Sequence, residues 1–73
     1  MFKMYNNYKF NLDRDCYENI KNNNYFTILE TGSNIYQIVF YDSRNNKLLE
    51  KEVEIKDDFD EELKKIISEV EED

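Results

Sequence analysis

The apolar residues of this chain keep one rhythm through its middle and another at its end. Tyr8, Phe10 and Leu12 alternate with Lys9 and Asn11, and Ile35 to Tyr41 is a run of β-branched and aromatic residues. Both are patterns of strands that bury one face. From Phe59 the spacing lengthens: Phe59, Leu63, Ile66, Ile67 and Val70 recur with the period of an amphipathic helix. The two patterns must share one core, because the chain has only 73 residues. A domain of that size buries only about 60% of the surface its unfolded chain exposes, so its stability is modest.

The usual supports of small scaffolds are missing. Cys16 is the single cysteine and histidine is absent, so neither an internal disulfide nor a structural zinc site is expected. A lone thiol suits a reducing, cytoplasmic setting. The opening MFKMYNNYKF lacks the apolar core of a signal peptide, and Ile38-Val39-Phe40-Tyr41 is too short to span a membrane. Ten asparagines beside eight lysines and seven isoleucines read as the codon bias of an AT-rich genome, not as ligands.

Asp15 and Glu18 have capping-box spacing, and Cys16, Tyr17 and Ile20 would share a helical face, which predicts a short helix over 15–20. Strands are expected over 25–30 and 35–41, and again after the Asn45-Asn46 pair, read as a two-residue hairpin turn. In the turn at Thr31-Gly32-Ser33-Asn34, Gly32 is the residue expected to take positive φ. With Arg44 opposite Lys47, Ile38 faces Val53, Tyr36 faces Ile55 and Phe40 faces Lys51, whose ammonium reaches water. On the other face Gln37 meets Glu54, Val39 meets Glu52 and Tyr41 meets Glu50. A five-residue loop before Tyr36 places Phe26 and Ile28 in the core, whereas a four-residue loop would place Tyr25, Thr27 and Leu29 there; the first gathers more apolar bulk. Asp58 with Glu61 should cap the final helix. Met1, Phe2, Met4 and Tyr5 are expected to cover a sheet face or add an edge strand, with a homodimer interface as the alternative. The expected fold is a single α+β domain of order β-α-β-β-β-α, its three- to four-stranded, mostly antiparallel sheet packed against a C-terminal acidic helix.

Charge is unevenly spread. Residues 1–49 hold five acids and six bases, whereas residues 50–73 hold twelve acids and four lysines. A phosphate-backbone binder carries the opposite sign. Without histidine the commonest general base is lost, and acids beside Cys16 disfavour a thiolate, so no catalytic residue is assigned. Asp57 to Glu62 lacks EF-hand spacing, so no metal or cofactor is assigned either.

Three glutamates at alternate strand positions, Glu50, Glu52 and Glu54, repel one another unless compensated. Glu69, Glu71 and Glu72 oppose the dipole at the end of the helix. Such choices suit a surface addressed to something basic. The expected contacts are Glu50, Glu52, Glu54, Asp60, Glu61, Glu69, Glu71 and Glu72, with Tyr41 as an anchor. The expected partner is a basic nucleic-acid-handling protein, a nuclease or CRISPR effector, met without direct nucleic-acid or membrane contact. In size, charge, composition and lack of catalytic equipment the chain resembles the small acidic phage inhibitors of host defence, of the anti-CRISPR and anti-restriction type. That resemblance implies a DNA-mimicking inhibitor and carries no individual residue over. The alternatives are a homo-oligomeric regulatory protein with an apolar interface, and an immunity or antitoxin protein against a basic nuclease.

Overall fold

In the computed structural model, which describes residues 4–71, six strands precede a single helix. The strands are β1 (Met4–Tyr5), β2 (Tyr8–Asn11), β3 (Cys16–Asn19), β4 (Tyr25–Gly32), β5 (Ile35–Tyr41) and β6 (Lys47–Glu54), and the helix is α1 (Phe59–Glu71). The strands form one antiparallel sheet in sequence order, β1 to β6. The α+β class is as expected, but six strands replace three or four. Met4 and Tyr5 add an edge strand; Met1 and Phe2 lie outside the described residues.

The expected helix over 15–20 is a strand. Two features outweigh its helical spacing. Asn11 Oδ1 accepts the Asp13 N–H at 2.9 Å, and Asp15 takes a φ of 53°, so residues 12–15 close a tight hairpin. The hairpin then carries Tyr17 between Phe10 and Phe26, with ring centroids 5.1 and 5.0 Å away. Glu18 is drawn from any capping role by Asn11 Nδ2 and the Arg14 guanidinium.

Every hairpin has one left-handed residue, and none of them is glycine: Asn6, Asp15, Asn23, Asn34 and Asn45. Asparagine and aspartate tolerate that region better than other residues with a side chain. Gly32 does not adopt it; Asn34 does, with φ 62°. At least four of the ten asparagines therefore have a conformational purpose.

The β4–β5 pairing sets Phe26 opposite Phe40 and Ile28 opposite Ile38, the preferred register, but through a connection of Ser33 and Asn34 with a bulge between Glu30 and Gly32. The β5–β6 pairing departs from expectation by two residues: Ile38 faces Lys51, Tyr36 faces Val53 and Phe40 faces Leu49. The connection is longer than an Asn45-Asn46 turn. Asp42 N–H bonds the Asn46 carbonyl at 2.9 Å and Asn45 N–H bonds the Asp42 carbonyl at 3.0 Å, and a bulge follows between Phe40 and Tyr41. A slip of two keeps residues 49–54 on their expected faces, whereas a slip of one would have inverted them; only Lys47, beyond the bulge, changes side.

Helix α1 covers one face. Asp58 Oδ1 caps it by accepting the Glu61 N–H at 3.2 Å, and Leu63, Ile66 and Ile67 are buried against Tyr8, Phe26, Ile38 and Phe40. The helix is fixed to the sheet by polar contacts as well. Tyr5 donates to Asp60 at 2.8 Å, and the buried Asn19 donates to Glu71 at 2.8 Å. Asn19 Oδ1 also accepts the N–H groups of Lys21 and Asn22. Tyr8 is fully buried, and its hydroxyl has no hydrogen-bond partner among the described residues. Burial, with the nearby Glu71 carboxylate, pushes that phenol up to about 12.

The two tyrosines therefore predict opposite results. Tyr8→Phe removes an orphaned hydroxyl and should leave the urea midpoint unchanged or raise it. Tyr5→Phe removes the 2.8 Å hydrogen bond that ties β1 to α1 and should cost about 1 kcal/mol.

Candidate functional site

The acids expected as partner contacts are divided between the two sides of the sheet. Glu50, Glu52 and Glu54 are exposed on β6, on the face opposite α1, across from Val39, Gln37 and Ile35. Alternate strand residues are about 6.8 Å apart, so these three form a row along the edge of the molecule.

Their repulsion is unequally compensated. Glu50 accepts from Lys47 at 2.7 Å and from Gln37, and the Lys47 contact holds its carboxyl below the usual range. Glu52 has a 3.4 Å contact with the Thr31 hydroxyl, and Glu54 lies 4.0 Å from Lys56. Charge is thus best neutralised at Glu50, weakly at Glu54, and least at Glu52, whose contact is an uncharged hydroxyl. Tyr41 shares this face but faces Lys47 rather than Glu50, because of the bulge. It stacks on Tyr25 with centroids 4.9 Å apart, and the Arg14 guanidinium lies 4.8 Å from the Tyr25 ring. The expected anchor is therefore part of a rigid column that also includes Arg14 and Tyr25.

On the other face, Asp60, Glu69 and Glu71 have structural partners. Asp60 accepts from Tyr5 and Glu71 from Asn19, while Glu69 accepts from Lys51 at 2.9 Å. Of the acids that appeared to oppose the helix dipole, Glu69 and Glu71 are matched by groups from β6 and β3, a pairing the helix sequence alone does not display. Glu61 is exposed and lines a groove with Glu54, Asp57, Asp58 and Glu62 at the β6–α1 connection. Glu72 lies outside the described residues.

The open face also has apolar content that the search for acids passed over. Tyr25, Thr27 and Leu29, the set set aside as core, occupy it, and Leu29 is 61% exposed. The signal was there in the alternation of Tyr25 to Leu29, which marks both faces of β4 as apolar. Cys16 is buried, and burial raises its thiol. Among the described residues no group of His, Cys, Asp and Glu is placed to hold a metal ion, and no helix is long and apolar enough to cross a membrane. Comparison with protein families, with curated proteins and with solved structures finds no match.

Two predictions separate tied acids from untied ones. Glu71→Ala orphans the buried Asn19 amide and should cost about 1–3 kcal/mol in chemical denaturation, whereas Glu54→Gln should change stability by less than about 0.5 kcal/mol. Glu18 is held below its ordinary value, chiefly by Asn11 and also by Arg14. Its contribution is complete above the unfolded carboxylate pKa and disappears as pH falls through the folded one. Between pH 6 and pH 3 the melting temperature of the natural chain should therefore fall further than that of Glu18→Gln.

Proposed function

We propose that this protein is a non-catalytic binding protein whose open sheet face meets a basic surface on a nucleic-acid-handling protein, and that it acts as an inhibitor there. The observation that supports this most is the row of Glu50, Glu52 and Glu54 on a face without a covering helix. A regular sheet holds these carboxylates at fixed spacing, as a nucleic-acid backbone holds phosphates, and lysine or arginine groups that bind phosphate also bind carboxylate. The neighbouring Arg14–Tyr25–Tyr41 column and Leu29 supply the apolar, aromatic contact that charge alone lacks, since aromatic residues dominate binding hot spots. A basic nuclease or CRISPR-type effector is the class of target that fits, and an anti-CRISPR, anti-restriction or immunity role differs only in the target's identity.

A second reading has its own observation. Leu29, Val39 and Tyr25 form an apolar strip across the same face, and a homodimer could cover it. The readings differ in salt dependence, because attraction between exposed charges is screened over about 8–10 Å at physiological ionic strength.

Tagged protein should be used to capture partners from lysate at low and high salt, with duplex DNA as competitor. The inhibitor reading expects one protein to be retained at low salt, displaced by the DNA, and lost with Glu50→Lys/Glu52→Lys/Glu54→Lys that circular dichroism shows to be folded. Retention by that variant, or a concentration-dependent dimer in sedimentation with no DNA-displaceable protein, overturns it.

A further inference from the structure

The edge of β6 is chemically more specific than an acidic row. Its inner side is paired with β5, and Ile55 N–H continues the ladder to the Asn34 carbonyl at 2.8 Å. Backbone groups of successive strand residues point to opposite sides. Because Ile55 points inward, the N–H and C=O groups of Glu54, Glu52 and Glu50 point outward, from the outermost strand of the sheet. The residues that bear the open-face carboxylates are thus the same ones that offer free ladder positions. On the helix side of the same edge lies a groove of about 410 Å³, lined by Leu48, Leu49, Val70 and the paired Lys51 and Glu69.

We infer that the β6 edge accepts an extended segment of the partner as a seventh strand, one in which Lys or Arg alternates with apolar residues. This rests on the acidic-surface reading above and gives that surface a mode of recognition. An added strand directs alternate side chains to opposite faces. One set meets Glu50, Glu52 and Glu54, and the other lies toward the Leu48–Leu49–Val70 groove. Main-chain bonds hold the segment while the two side-chain rows select it.

A second copy of β6 does not fit this edge. In-plane antiparallel pairing sets residues of the same face opposite each other. Registers that overlap the acidic stretch oppose glutamate to glutamate, Glu50 against Glu52 or Glu52 against itself, which is unfavourable. The edge therefore disfavours self-association and selects a strand of opposite charge.

The test uses the full chain and a capped eight-residue peptide alternating lysine and valine, compared with a block peptide of four lysines followed by four valines. In an added antiparallel strand the lysines lie opposite the outward-pointing glutamates, so the lysine N–H groups face β6. Isothermal titration should show the alternating peptide binding at least tenfold more tightly than the block peptide. N-methylation at the lysines should abolish that advantage, N-methylation at the valines should not, and amide exchange at Glu50, Glu52 and Glu54 should slow on binding. Equal binding of the block or lysine-methylated peptide, lost with the folded triple-lysine variant, overturns strand addition and leaves the acidic surface standing. No binding by any peptide, or undiminished binding by that variant, overturns both.

Discussion

A single row of large side chains crosses the sheet beneath the helix, and the rest of the molecule is arranged about it. Phe10, Tyr17, Phe26, Phe40 and Leu49 stand opposite one another in register from β2 to β6. Tyr17 and Phe26 stack nearly parallel, and Phe26 meets Phe40 at 4.8 Å. Aromatic groups bury more area per residue than aliphatic ones and add a preference for defined ring geometry. A small domain with a single cysteine and one covering helix relies on that combination. It also sets the register, since sliding any one strand by a single residue would remove its member from the row.

One helix can cover one face of a sheet, so the geometry that makes the core also creates an uncovered side. The open face is mixed in character. It has a tyrosine pair under an arginine, a strip of Thr27, Leu29 and Val39, and the glutamates of β6. The covered face, by contrast, has absorbed Asp60, Glu71 and Glu69 of α1 into its own bonding through Tyr5, Asn19 and Lys51. Similar-looking carboxylates thus do different work according to the side on which they fall.

The parts of the fold legible in sequence were those governed by local pattern: the terminal helix and its Asp58 cap, β4 to β6, and the face occupied by each of their residues. The parts that were not legible depend on tertiary choice. Segment 15–20 has helical spacing, yet Tyr17 gains more between two rings than on a helix too short to be stable alone. The β5–β6 register depended on whether the turn spans 45–46 or 42–46, and Asp42 decided this by accepting N–H groups from Arg44 and Asn46. For the site, the row of Glu50, Glu52 and Glu54 could be read from alternation alone. The partners of Asp60, Glu69 and Glu71 could not, because they lie on strands distant in sequence, 52 residues away between Asn19 and Glu71.

The consecutive strand order has a consequence for how the chain is made. Every strand pairs with its sequence neighbour, so each hairpin can close over a short loop at little entropic cost, and the sheet can assemble as the chain emerges during synthesis. The helix that covers the aromatic row follows all six strands in sequence. A sheet assembled from local hairpins leaves Phe26 and Phe40 facing solvent until residues 59–71 pack on it. That interval, rather than the finished molecule, is when this chain most exposes its core to other proteins.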